Sequence, residues 1–418
     1  MLELLITSLS HAGEGIARHE GRVVFVPFAL PGERVRVELI EEKKAYARAR
    51  LLEVLTSSPD RLEPRCPHHF SISNPQSLVS ACGGCQLQHL AYPEQLVFKQ
   101  NQVIEQLRRI GGWPEAEARA LVRPALPSPQ TFGYRNQMQF ALTPEGRPGL
   151  HAVWSDTIVP IRECHIAAPA IMELFARLAI EPAPEIERLT LRAGADDALI
   201  VFEAAAGAPE LEIDFPVSVA LLRPDGTSLA LAGRDYLVET VKGRDFRISA
   251  GSFFQVNTAL AERLVDEVLQ ALELRGGETV LDVYCGVGLF SAFVAPLAAR
   301  VIGIESFEPA VDDAAVNLDE FENVEIYNAS AEDVLPALAL RVDAAVLDPP
   351  RAGCAPAALD ALLALAPTRI VYVSCDPATL ARDAGRLAVG GYRLDFVQPL
   401  DMFPQTYHVE SVARFSRS

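Results

Sequence analysis

From Gln255 onward the chain alternates short apolar runs with amphipathic segments, and this alternation limits the fold more than any other feature. Strands are expected at about 279–283, 301–305, 324–328, 343–348 and 370–375, with helical segments between them. Parallel strands joined by helices are buried on both faces, so each reads as a nearly continuous apolar run. Two further strands, near 392–400 and 409–416, lack an intervening helix and are expected as an antiparallel hairpin. Five β/α units and a terminal hairpin make a doubly wound, Rossmann-like α/β sheet.

Ligands of such sheets bind beyond the carboxyl ends of the strands. Small and polar residues collect there: Asp282, Tyr284, Gly286 and Gly288 after the first strand, Glu305 after the second, Asp348 after the fourth, Cys375 after the fifth. An acidic residue at the second strand end can accept hydrogen bonds from the ribose hydroxyls of an adenosine cofactor. The short Gly-x-Gly with Tyr284 suits S-adenosylmethionine, which has no phosphate, better than a dinucleotide, though it leaves the dinucleotide open. In "IVYVSCDPATLARD" (370–383), Asp376 and Pro377 read as a helix N-cap and first helical residue. Cys375 would then feel the positive end of the helix dipole, which is predicted to lower its thiol pKa. It is either a nucleophile or a small residue packed at a strand end.

At 418 residues the chain is long for one domain. Residues 1–57 alternate apolar and polar positions between turn signals at Gly13, Gly15 and Pro31-Gly32, and are expected as a small OB-like β-barrel. Residues 58–250 form a mostly β central domain, with an amphipathic helix at 93–112 expected to pack on the catalytic domain, 251–418. The start, MLELLITSLSHAGEG, lacks the basic region of a signal peptide, and no apolar run approaches the ~18–20 residues of a membrane span. A cytoplasmic protein, without membrane contact and monomeric, is expected.

Four of the seven cysteines, Cys66, Cys82, Cys85 and Cys164, are candidates for a metal centre. Four thiolates suit zinc or an iron–sulfur cluster, and neighbouring His68, His69, His89 and His165 keep zinc open. The net charge of −18 argues against nucleic acid as a partner, since RNA binding usually rests on a basic footprint. The acidity is uneven, however. Residues 1–56 carry eight Lys/Arg against eight Glu, so a neutral or locally basic N-terminal face stays open.

"SFFQVN" (252–257), "LDVYCGVGLFS" (281–291), "LDPPRAG" (347–353), "VSCDPATLARD" (373–383) and "DMFPQTYHVES" (401–411) together resemble, in this order, the RNA uridine-C5 (5-methyluridine) methyltransferase family. The likeness extends to the TRAM-type barrel and the cysteine cluster and is nearest to the ribosomal RNA branch. It implies an enzyme that methylates uracil C5 in RNA, 23S ribosomal RNA being favoured, with S-adenosyl-L-methionine as donor. Cys375 would add to uracil C6, and Glu410 would remove the C5 proton. Gln255, Tyr284, Glu305 and Asp348 match cofactor-binding positions, and Phe253 matches an aromatic that stacks on RNA. Cys66, Cys82, Cys85 and Cys164 would hold a [4Fe–4S] cluster, although "FSISNPQSLVSA" (70–81) lengthens the usual gap after Cys66. Cys285 and Cys354 match no catalytic position and are expected to pack. The alternatives are a transfer RNA substrate and a non-catalytic iron–sulfur RNA-binding protein.

Overall fold

The computed structural model describes residues 1–71, 81–183, 185–205 and 207–417. Most of the lengthened segment after Cys66, residues 72–80, lies outside the described residues. Among the described residues, no helix is long and apolar enough to cross a membrane.

The first sheet has six strands in the order Leu2–Leu5, Arg34–Glu42, Tyr46–Thr56, Arg22–Val26, Gly15–His19 and Ser8–Leu9. Alternate residues point inward, so Leu4, Val24, Val26, Val35, Val37, Ala49 and Leu51 make its core. The basic residues between them do not form a free basic face. Arg22 pairs with Glu42, Arg34 with Glu3, Arg36 with Glu3 and Glu53, Arg48 with Glu14 and Glu41, and Arg50 with Glu38. Cross-strand charge pairing thus consumes most of the cations counted in the sequence.

A second, seven-stranded sheet spans Gln137 to Ala232, with the helix Pro169–Arg177 against it. The third sheet carries the predicted α/β pattern. Its order is Val324–Asn328, Arg300–Glu305, Thr279–Val283, Ala344–Leu347, Arg369–Ser374, Glu410–Arg417, Tyr392–Leu400. The first five strands are parallel, and the last two run antiparallel to their neighbours.

Successive residues of each strand serve opposite layers. Val280, Val301, Val346, Val371 and Val373 face the layer built on the helix Thr258–Leu272. Leu281, Ile302, Leu347, Ile370 and Tyr372 face the layer of Pro356–Leu365 and Pro377–Val389. The helix Tyr92–Arg109 inserts Val103, Ile104 and Leu107 into this second layer, so a helix from the N-terminal half covers the C-terminal sheet.

Candidate active site

The loop after the first parallel strand turns sharply. Tyr284, Gly286 and Gly288 all have positive φ, at 65°, 54° and 88°. Gly288 also needs to lack a side chain, because a Cβ there would lie 2.8 Å from Leu318. Gly286 instead borders open space, which leaves the backbone approachable. Its N–H donates to Glu305 Oε2 at 3.1 Å, while Ser306 and Phe307 donate to Oε1 at 2.7 and 2.8 Å. Glu305 therefore joins the glycine turn to the second strand end. Gln255 is buried just ahead of the helix that Asn257 caps, and Phe253, two residues away, is 71% exposed.

Cys375 follows its strand as the pattern predicts, half-buried, with Asp376 Oδ1 accepting from Ala378 N and Thr379 N at 2.8 and 3.2 Å. The predicted lowering of its pKa does not occur. Its thiol is pushed up to about 12, first by burial and then by Glu410, against the opposing pull of Arg351. The Asp376 carboxylate caps the amides of the helix start, and its negative charge adds to those of Glu410 and Asp348 in raising the thiol.

Glu410 opens its strand fully buried, where it might as easily have faced solvent. Burial, and next to it Asp348, hold its carboxyl well above the usual range. Asp348 is raised to about 7 by burial and then by Asp282, and Asp282 to about 6 by burial. Glu410 and Asp348 thus act on Cys375 against Arg351, and Asp282 in turn acts on Asp348.

A carboxyl whose folded pKa exceeds its unfolded value of about 4 binds its proton more tightly in the fold. Its contribution favours folding at low pH and turns unfavourable as pH rises from about 4 to 7. Asp348→Asn should therefore raise the melting temperature of the ligand-free protein at pH 8, by a stability gain on the order of 2 kcal/mol. The gain should vanish near pH 4. Thermal melts at the two pH values check this, and a lowered melting temperature at pH 8 would contradict it.

Asp383 holds this region together. Its Oδ2 accepts from Tyr372 OH at 2.7 Å and Cys354 N at 2.9 Å, and Arg382 bridges Oδ1 to the carbonyls of Ala352 and Cys354. The loop after Asp348 is thereby fixed to the helix that follows Cys375. Cys285 and Cys354 are both buried.

The segment 401–407 is held by three polar side chains on one face of Tyr92–Arg109. Gln95 and Gln405 exchange hydrogen bonds, at 3.0 Å from Gln95 Nε2 to Gln405 Oε1 and at 3.1 Å from Gln405 N to Gln95 Oε1. Lys99 pairs with Asp401, both fully buried, and donates to Phe403 O at 2.9 Å. Gln102 donates to Tyr407 O at 3.0 Å. Spacings of four and three residues put these groups on one helical stripe. Beyond them, His408 Nδ1 lies 3.5 Å from Arg351 Nη2. Arg351 and His408 lie within the motifs at 347–353 and 401–411, whose sequence alone gives them no role. Packing alone marks them: Arg351 acts on the Cys375 thiol, and His408 lies beside Arg351.

Cys66, Cys82, Cys85 and Cys164 line a single cavity of about 190 Å³, with Arg135 on its wall. Burial raises all four thiols, and each of Cys66, Cys82 and Cys85 also feels Cys164. The long gap does not remove Cys66 from the cavity, because Cys82 N donates to His68 O at 2.8 Å and draws the ends together. His68 and His165 also border it, whereas His89 packs beside Phe28 in an apolar setting. Among the described residues no three His, Cys, Asp or Glu converge at the spacing of one metal ion. Gly83 lets the paired-cysteine loop approach His151 O, which would lie 2.9 Å from a Cβ. The same loop reaches the catalytic side: Gln86 N and Leu87 N donate to Gln405 O at 3.0 and 2.9 Å.

The profile described as tRNA (Uracil-5-)-methyltransferase matches residues 210–417, and the TRAM domain profile matches 1–52. An uncharacterised RNA methyltransferase of Streptomyces avermitilis is 40% identical over 427 residues, covering 98% of this chain and 97% of that protein. Another, of Halalkalibacterium halodurans, is 36% identical over 455 residues, covering 99% and 96%. Among solved structures, the Pyrococcus abyssi tRNA (uracil-54, C5)-methyltransferase in complex with S-adenosyl-L-homocysteine superposes with a TM-score of 0.76 at 29% identity, covering 99% of this chain and 100% of that chain.

Proposed function

Because the chain belongs to the RNA uracil-5-methyltransferase family, with an N-terminal TRAM domain and S-adenosylmethionine as methyl donor, we propose that it methylates uracil C5 of large-subunit ribosomal RNA through a covalent adduct with Cys375. The observation that carries this reading is the meeting of Cys375 with buried Glu410 at the carboxyl rim of the sheet.

Uracil C5 is too weak a nucleophile to react unaided. Addition of the Cys375 sulfur to C6 forms a C–S bond and moves the electron pair of the C5–C6 double bond onto C5 and O4. S-adenosylmethionine would bring positive charge beside the carboxyls and supply the methyl group to C5, its S–CH3 bond breaking to leave S-adenosylhomocysteine. Glu410 then takes the C5 proton, the double bond re-forms and the C–S bond breaks, returning the sulfur. A free thiol raised to about 12 is a poor nucleophile, so adduct formation needs the ligand-filled pocket to displace that equilibrium. Gln255, Tyr284, Glu305 and Asp348 are assigned to the cofactor. Gly286 beside open space and the polar rim support this placement. Phe253, exposed beside the rim, is assigned to stacking on RNA bases.

A second reading, transfer RNA, is favoured by the full-length similarity to the Pyrococcus abyssi enzyme. Mapping 5-methyluridine in ribosomal and transfer RNA from a deletion strain decides between them. Loss from neither would overturn both.

We assign Cys66, Cys82, Cys85 and Cys164 to a [4Fe–4S] cluster. One shared cavity, four thiols in electrostatic reach of one another and the Arg135 cation support the fit. A cluster held there would tie together segments remote in sequence and supply redox-active iron. Protein purified anaerobically should be brown, with about four irons per chain. Cys82→Ser should lose the iron, Cys66→Ser should lose it too, and Cys375→Ala should keep it. Stoichiometric zinc without iron would overturn the assignment.

A further inference from the structure

We propose that the groove between the N-terminal barrel, the paired-cysteine loop and the turn at Trp154 binds an unpaired nucleotide of the RNA substrate, with the Trp154 indole as its stacking platform. This deepens the reading above and rests on RNA being the substrate. The groove has a volume of about 390 Å³, within the usual range of small-ligand sites, and its walls include Glu14, Phe28, Gly84, Gln86, Trp154 and Tyr407.

Trp154 follows the strand Pro148–His151 and is 42% exposed, an unusual position for so large an apolar ring. The Arg48 guanidinium lies 4.5 Å from its ring centroid, reaching across from the barrel strand Tyr46–Thr56. Glu14 and Glu41 pair with that guanidinium, each at 3.5 Å. The guanidinium is thus held against the indole by two carboxylates, while part of the indole stays exposed. Gln86, on the same wall, has its Oε1 buried with no hydrogen-bond partner among the described residues.

Two features point to a nucleotide rather than another planar ligand. The groove borders the segment that leads to Glu410: Tyr407 lines it, the Tyr407 ring is 4.2 Å from that of His408, and His408 lies 3.5 Å from Arg351. A strand of RNA whose uridine is drawn to Cys375 has this groove as a neighbouring surface. The second feature is charge. The chain carries a net charge of −18 and the barrel arginines are largely spent on glutamates, so phosphate attraction is weak and base stacking must supply much of the binding.

The chain has two tryptophans, Trp113 and Trp154, which makes the contact directly observable. In the Trp113→Phe protein, in vitro transcribed 23S ribosomal RNA or transfer RNA should quench the emission of Trp154 on binding. Trp154→Ala should weaken RNA binding on the order of tenfold by filter assay, and Trp154→Phe should restore most of it. The weakening should persist at raised salt, because stacking is not screened. Unquenched emission, with Trp154→Ala binding within twofold of the parent, would overturn the groove. Covalent capture of 5-fluorouridine RNA by Cys375 in the parent protein is read in parallel. Capture without quenching sinks the groove alone, and absence of capture sinks the adduct mechanism instead.

Discussion

Cys375→Ala should abolish RNA methylation, by about four orders of magnitude or more, while S-adenosylmethionine binding stays within about twofold. The sulfur is asked to act on the uracil and not on the cofactor, and the half-buried thiol props up little else. Methyl transfer from labelled cofactor measures the first effect and equilibrium binding of the cofactor the second. RNA carrying 5-fluorouridine gives an independent readout, since fluorine at C5 cannot leave as a proton and the adduct accumulates. The parent protein should form that adduct and Cys375→Ala should not. An adduct surviving in the mutant would assign the nucleophile to another residue.

Glu410→Gln should fail at a later step. Addition and methyl transfer need no base at C5, so both should proceed, but elimination should slow by about two to four orders of magnitude. Methylated RNA should then stay attached to the protein through Cys375 and be visible as a band resistant to denaturation. The isosteric amide also removes an acidic group from a buried wall that includes Asp348, so the variant should fold at least as well as the parent. Rapid release of methylated product would reject Glu410 as the base.

Much of the catalytic sheet was legible because its information is local. The five parallel strands appear at the expected positions, since buried runs, glycine turns and the Asp376-Pro377 helix start depend on residues a few positions apart. The alternation of Leu2–Thr56 likewise marks the six-stranded N-terminal sheet from local pattern alone. A conclusion that needed knowledge of the surroundings went astray. The Cys375 pKa was expected to fall with the helix dipole, but burial and the nearby Glu410, contributed by a strand 35 positions along the chain, push it upward.

By itself, then, the sequence determined the alternating core, the turns and the order of the motif residues along the chain, because these follow from backbone geometry and side-chain period. Only the tertiary structure decided which of those residues meet. Gln95, Lys99 and Gln102 looked like polar positions of an amphipathic helix, yet they grip residues 401–407, about three hundred positions away. Cys66 and Cys164 were far from the paired cysteines in sequence and share their cavity. Arg48, on a barrel strand, and Trp154, in the turn after Pro148–His151, are about a hundred positions apart in sequence and meet. Each of these contacts depends on how separately legible elements pack. A side chain's charge, protonation and partners are set by the neighbours that packing brings, which no local pattern encodes.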